Sequence, residues 1–415
     1  MTAVSSATAE DGAGVRELLG VLQQSLTLPD QSLGFWSGRA GIVWALTHLQ
    51  AFHPGGEVRD ALGDFVEQAI ELAYTSTRET VVQNALILMA AVRADRLIGL
   101  GSTDQACDEL DGFLLDDVLN DDGPSKFELI DGLAGLGTYC LARERAGSAE
   151  PLARLMALLE RRATAQETGI AWVSTPRILA GFPMLAKHPR GCIDLGMAHG
   201  MAGPLALMSL AVERLPTSAP KSRHAVSEGM AFLAAQRNHP PDGDLCFGYV
   251  AGDRVRARCA WCYGELGIAS ALSLASKATN SDEFANIARQ LVSSMLARPE
   301  ASMGVRDPWL CHGTAGLALL FRRLGLWHRI PELERRGEGF ARRLEVSVRT
   351  LIDGDSGSNT PLDLSLLEGL SGAALTLAES RGELERGADD WALPLLVLPP
   401  VDQPFLPNWD RNCFA

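Results

Sequence analysis

Two thiols and an imidazole stand just ahead of glycines in this chain. They are Cys262 in Ala260-Trp261-Cys262-Tyr263-Gly264, and Cys311 with His312 in Trp309-Leu310-Cys311-His312-Gly313. Thiolate and imidazole are donors that zinc takes readily, and three protein ligands leave a fourth tetrahedral position open, as in catalytic zinc sites. Taken singly, the cysteines read as small buried hydrophobes and His312 as a histidine at a helix start. Their common register favours a metal: each cysteine precedes a glycine by two residues, so stacked copies of one unit would bring all three donors to one rim.

Other residues near such glycines carry possible chemistry. His199, in Ala198-His199-Gly200, suits a general acid or base facing the metal. Arg258, four residues before Cys262, suits the charge of an enolate or carbonyl oxygen, with a plain surface arginine as the alternative. Glu128 and Asp131 lie around another such head, where acidic groups favour a helix N-terminus electrostatically and capping alone would account for them. Cys259-x-x-Cys262 is a weak redox or metal pair without a second pair or a strand-to-helix context. His188, Cys192 and Cys246 lie on loops that reach toward the same region, as minor ligand candidates.

The elements that must position these residues announce themselves as an internal repeat. Gly-x-x-Gly begins at Gly38, Gly132, Gly200, Gly264, Gly313 and Gly369, each time leading into an apolar helical run. Glycines three apart share a helix face and leave a strip where a backbone or a substrate approaches closely. The 94 residues between the first two heads leave room for a degenerate copy, and the apolar run Val81 to Val92 is in the right place. Amphipathic segments alternate with these runs: Val58 to Tyr74, Pro151 to Arg162, Arg223 to Arg237, Asp282 to Leu296 and Gly337 to Leu351. Few segments read as strands. An all-α fold, a closed ring of helical hairpins each burying its apolar face against its neighbours, is expected. The longer links are Gln166 to Leu195 and His239 to Arg258. No linker divides the chain, so one domain over 1–415 is expected, with a short Pro-rich C-terminal tail from about 394.

Composition narrows the partners. With 415 residues and 47% hydrophobic content, the chain has enough apolar material for a sizeable core. Acidic residues outnumber basic ones, 51 to 37, for a net charge of −14, which argues against nucleic acid or an anionic membrane as the main partner. No run approaches the roughly eighteen apolar residues of a spanning helix, and Met1 to Asp11 lacks the pattern of a secretory signal. Eight unevenly spaced cysteines suit reduced thiols, and the cytoplasm is the expected compartment.

On these residues the sequence resembles the lanthionine synthetase C-like family, the lantibiotic cyclases. The likeness is carried by Leu195 to Pro204 around Ala198-His199-Gly200, by Arg258 with Ala260-Trp261-Cys262-Tyr263-Gly264, and by Cys311-His312-Gly313-Thr314-Ala315-Gly316. It runs from about Ser32 to Ala378. The resemblance implies an α/α toroid of about seven inner and seven outer helices, with zinc at the mouth held by Cys262, Cys311 and His312. His199 and Arg258 would then face the reacting centre. The family closes thioether rings, adding a cysteine thiol of a dehydrated ribosomal precursor peptide to dehydroalanine or dehydrobutyrine. The implied partners are that peptide and, as separate proteins, a dehydratase and an exporter. Where the family has an aspartate opposite the histidine, this chain has Glu128, one methylene longer.

Two other classes compete with the enzyme. A toroid weakened in catalysis could serve as a peptide-binding scaffold for a modification complex, but a scaffold needs none of Cys262, Cys311, His312 and His199. A glycosidase would need paired carboxylates across the cavity, where only Glu128 and Asp131 come near, and a prenyl-transfer enzyme an aromatic tunnel that 6% aromatic content does not suggest.

Overall fold

The computed structural model describes residues 13–28, 32–120, 126–143, 149–215, 219–239, 245–355, 362–385 and 390–397. In chain order the helices are α1 (Ala13–Leu26), α2 (Arg39–Leu46), α3 (Gly56–Tyr74), α4 (Val81–Ile98), α5 (Thr103–Phe113), α6 (Leu133–Ala142) and α7 (Ala149–Arg162). After the short α8 (Met184–Lys187) come α9 (Ala202–Arg214), α10 (Ala219–Ala235), α11 (Glu265–Thr279), α12 (Asp282–Ala297), α13 (Thr314–His328), α14 (Pro331–Asp355) and α15 (Leu370–Arg381). Strand structure among the described residues is a two-residue antiparallel pair, Thr164–Ala165 with Ile170–Ala171, plus isolated bridges.

Seven helices form an inner ring. α2 packs on α4, α4 on α6, α6 on α9, α9 on α11, α11 on α13, α13 on α15, and α15 closes on α2. The alternate helices α1, α3, α5, α7, α10, α12 and α14 lie outside. This is the α/α toroid. The inner helices are buried almost all round, as in α9, where every residue from Ala202 to Val212 is buried. The outer helices bury a single stripe: in α3 it is Ala61, Leu62, Phe65, Val66, Ala69 and Ala73. The degenerate copy at Val81 to Val92 is the inner helix α4. Among the outer helices, α1 matches the helical spacing of apolar residues from Val15 to Leu26, and α5 has no counterpart in the segments read from the sequence. Left-handed residues end several helices, Gly99 after α4, Asn280 after α11 and Gly382 after α15.

The glycine pairs are explained by the chain's own backbone. A Cβ on the second glycine of each pair would lie closer than 3.0 Å to a carbonyl oxygen six residues earlier, Trp261 O for Gly267 and Leu310 O for Gly316. At the first position Gly264 is the extreme case: its φ of +90° and its approach to the Arg258 carbonyl both demand glycine. The smooth strip therefore receives the loop that precedes each helix, folded tightly over its N-terminus.

These head loops are stitched to one another. Leu367 N donates to Trp36 O (3.3 Å), Cys311 N to Leu367 O (2.9 Å), Cys262 N to Cys311 O (3.3 Å), Met197 N to Cys262 O (2.9 Å) and Leu129 N to Ala198 O (3.1 Å). The indole of Trp36 completes the circle by donating to Ile130 O (3.0 Å). Hydrogen bonds thus run round the whole mouth.

The chain between 390 and 397 is packed core, and it includes 394–397, where the Pro-rich C-terminal tail was expected to begin. Trp391, Leu393, Leu395, Leu396 and Val397 are buried. Trp44 Nε1 donates to Trp391 O and Trp261 Nε1 to Leu395 O, both at 2.9 Å. Arg323 of α13, itself buried, grips Glu379 of α15 and Asp390 with both forks at 2.7–2.9 Å. The remainder of the expected tail, 398–415, and residues 240–244 of the second long link lie outside the described residues.

Candidate functional site

The head loops of α11 and α13 bring the predicted donors together. The ligand atoms of Cys262, Cys311 and His312 all lie within 4.8 Å of one another, the one such His/Cys/Asp/Glu group found among the described residues. The backbone bond from Cys262 N to Cys311 O ties the two loops at this point. Cys262 is 5% exposed, while Cys311 and His312 are half-buried. A hydrogen bond from the Cys311 thiol holds Cys262 down to about 5 against its burial, aided by His312 and the charge of Arg258, and the same bond drives Cys311 up. The hydrogen bond to Cys262 likewise raises His312, with Asp307 adding to it against burial. Asp307 Oδ2 lies 3.3 Å from His312 Nε2, and Glu368 Oε1 lies 3.9 Å from Nδ1, so carboxylates flank both ring nitrogens.

The donor set fits zinc. Two thiolates and an imidazole are its preferred ligands, and the roughly 3.5–3.8 Å donor spacing of a tetrahedral ion is compatible with donor atoms that all lie within 4.8 Å of one another. The neighbouring Cys311 thiol, His312 and Arg258 all favour the thiolate form of Cys262, the form in which a cysteine binds metal.

His199 occupies the head of α9, and its Nδ1 lies 2.9 Å from Glu128 Oε2. The longer reach of glutamate is accommodated by a turn. Glu128 is 2% exposed, and its oxygens also accept from Ile130 N (3.0 Å) and Asp131 N (2.9 Å). Burial works to lower the His199 pKa, but the hydrogen bond and charge of Glu128, with Asp194 and Asp131 behind it, carry it above the ordinary value. Asp131 itself turns away, accepting from Gln83 Nε2 (2.8 Å) and pairing with Lys126 (3.1 Å). Arg258 stands near the thiols: burial lowers its pKa, while Tyr249 and the charges of Cys262 and Cys311 raise it further.

Several minor candidates fall away. Cys259 faces α12, its Sγ 3.5 Å from Met295 Sδ, so the Cys-x-x-Cys spacing brings no second sulfur to the cluster. Cys246 is buried beside Arg256 and Cys192 rests on Met184, 3.7 Å away. His188 caps α8 and is not in the cluster.

Sequence reasoning missed a supporting layer. Tyr263, between Cys262 and Gly264, donates to Asp194 Oδ2 (2.8 Å), whose Oδ1 accepts from Gly196 N (2.8 Å). Burial pushes the Asp194 carboxyl up to about 6 against these bonds. A signal was present: Asp194, Asp307 and Asp363 each stand six residues before a head glycine. Each accepts from the backbone N–H two residues on.

Known proteins agree with this architecture. A solved nisin cyclase structure superposes with a TM-score of 0.71 at 18% identity, covering 94% of this chain and 98% of that one. The nisin biosynthesis protein NisC of Lactococcus lactis subsp. lactis is 23% identical over 288 residues, a match that spans 66% of this chain and 64% of NisC. The family model described as "Lanthionine synthetase C-like protein" matches residues 15–385. Because that match takes in all seven inner helices and every head loop that holds the thiol–imidazole cluster, the chain belongs to the lanthionine synthetase C-like family.

Proposed function

We propose that this protein is a zinc-dependent cyclase that forms lanthionine or methyllanthionine rings, adding cysteine thiols of a precursor peptide to dehydroalanine or dehydrobutyrine. The observation that carries the reading is the convergence of Cys262, Cys311 and His312 on one rim, beside a histidine paired to a buried carboxylate. Held by those three residues, zinc supplies a Lewis acid with a position for the substrate thiol and lowers that thiol's pKa.

The chain's own residues account for the rest of the addition. Sulfur bonds to the β-carbon, the C=C electron pair moves to the α-carbon and its carbonyl, and a proton must arrive at the α-carbon. His199 donates Nδ1–H to Glu128, which leaves Nε2 to carry that proton, and the bond and charge of Glu128 favour the charged imidazole against its burial. Arg258 lends positive charge to the enolate oxygen. Glu128 performs the part of the family aspartate.

The peptide is the substrate, and a separate dehydratase that prepares it and an exporter that receives it are its expected neighbours. A cytoplasmic setting suits the seven free thiols of the described residues. No helix among the described residues is long and apolar enough to cross a membrane.

Metal analysis of purified protein tests the first half: about one zinc per chain is expected, falling to near none in Cys262→Ala and Cys311→Ala. A dehydrated peptide with one free cysteine tests the second, by loss of thiol labelling. If turnover and ring stereochemistry match the spontaneous reaction, the toroid is a scaffold and the cyclase reading fails.

A further inference from the structure

We propose that the excursion between Ser174 and Cys192 forms a wall of the substrate mouth, with Phe182 as the residue that positions His199; this rests on the part given to His199 above. The excursion is pinned where it leaves and returns: Ser174 N donates to Cys192 O (2.8 Å) and Cys192 N to Ser174 O (3.0 Å). Just beyond, Leu195 N to Tyr249 O (3.0 Å) and Ala251 N to Ile193 O (2.9 Å) join its base to the segment that leads to Arg258. Inside it, α8 is drawn back onto the base through the Met184–Cys192 sulfur contact.

Phe182 lies just before α8, half-buried, with its ring centroid 4.8 Å from that of His199 and the planes at 59°. Lys126 Nζ sits 5.4 Å from the centroid of the same phenyl ring. Lys126 is itself held by Asp131, and Asp131 by Gln83 of α4. A continuous set of contacts therefore runs from the inner ring through the head of α6 to Phe182 and His199.

The geometry gives Phe182 a definite task. The bond to Glu128 fixes the distance of Nδ1 but leaves the imidazole free to swing about it. An aromatic ring packed 4.8 Å away at a 59° tilt restricts that swing, and with it the wander of Nε2. A planar enolate can take its proton on either face. Only a fixed donor selects one, so Phe182 sets both the rate of protonation and the configuration at the α-carbon.

The test uses the full-length zinc-loaded protein and a synthetic peptide with one cysteine and one dehydroalanine. In Phe182→Ala, kcat is expected to fall about tenfold with KM changed less than about twofold, because a misaimed donor costs rate without costing binding. The minor α-carbon epimer is expected to rise, and Phe182→Tyr to restore both. Thermal melting accompanies each variant, and Phe182→Leu, which keeps bulk without a ring, is expected to fall between. Wild-type kcat and a single epimer in Phe182→Ala would overturn the proposal, as would a loss confined to KM or a tyrosine variant as impaired as alanine. His199→Asn separates the two layers: normal turnover in it sinks the role of His199 itself, whereas an inactive His199→Asn beside an unaffected Phe182→Ala sinks the wall alone.

Discussion

Replacing Glu128 by glutamine removes one charge and almost no volume from the centre of the proton-handling pair. In the native site the carboxylate accepts from Ile130 N, Asp131 N and His199 Nδ1 at 2.9–3.0 Å while 2% exposed. At an effective dielectric constant of about 20, unit charges some 4 Å apart interact by about 4 kcal/mol. Much of this is offset by desolvation, leaving about 1.5–3 kcal/mol for a hydrogen bond to a charged group. Glutamine has one carbonyl oxygen for these donors. Either a backbone N–H loses its acceptor, or the amide NH2 faces His199 Nδ1 and inverts the tautomer. If the lost interaction is one that matters while His199 carries its proton, kcat falls by about 10- to 100-fold. The pH profile gives the sign. His199 is raised in the folded protein, so its charged form prevails below its pKa and is lost as pH rises through it. Without the Glu128 charge that pKa drops, and the alkaline limb of kcat moves to lower pH. Steady-state cyclisation of a single-ring peptide across pH reads both effects, with a melting curve as a folding control. Glu128→Asp keeps the charge and is expected to retain activity. A glutamine variant with native kcat and an unmoved alkaline limb would refute the pairing.

Other consequences are as direct. Arg258→Gln should lower kcat by about 100-fold while zinc content stays native, and equal loss of zinc would move Arg258 from enolate chemistry to metal retention. Arg323→Met leaves Glu379 and Asp390 buried without their shared guanidinium, so unfolding by urea should show a loss of about 3–5 kcal/mol; a loss below about 1 kcal/mol would mean the C-terminal segment is not anchored there. Two glycine substitutions should differ in sign. Gly63→Ala, half-buried on the outer helix α3 with nothing near a new Cβ, should stabilise by about 0.5–1 kcal/mol, and Gly267→Ala, which meets the Trp261 carbonyl, should destabilise by about 1–3 kcal/mol.

How much the sequence disclosed follows from where each constraint lies along the chain. The inner helices were legible because a loop pressed on its own helix demands glycine within a few residues, and six such demands repeat. Their common register carried Cys262, Cys311 and His312 to one rim. α4 was legible only through its apolar run, as a degenerate copy, because it has no glycine head and its start is held by Thr77 and Thr80. The packed segment at 390–397 was invisible for the opposite reason: Trp44 reaches the Trp391 carbonyl across 347 positions, and no local pattern marks such a bond. Phe182 was lost in the same way, as an ordinary aromatic residue in a loop rich in Pro and Gly. Glu128 was legible as a departure, but the turn that lets its longer side chain meet His199 became visible only with coordinates.

The hydrogen-bonded circle around the mouth limits how this protein can vary. An open solenoid gains or loses a hairpin at little risk, since each unit answers only to its neighbours. Here the six glycine-headed loops hand a hydrogen bond each to the next until the last returns to the first, so adding or deleting a hairpin among them would change the circumference and pull Cys262 away from Cys311. Repeat number is therefore frozen, and new length can enter only where the chain leaves the circle, in excursions such as that between Ser174 and Cys192. Differences in substrate among such toroids should be written in those excursions, while the metal centre stays where the circle holds it.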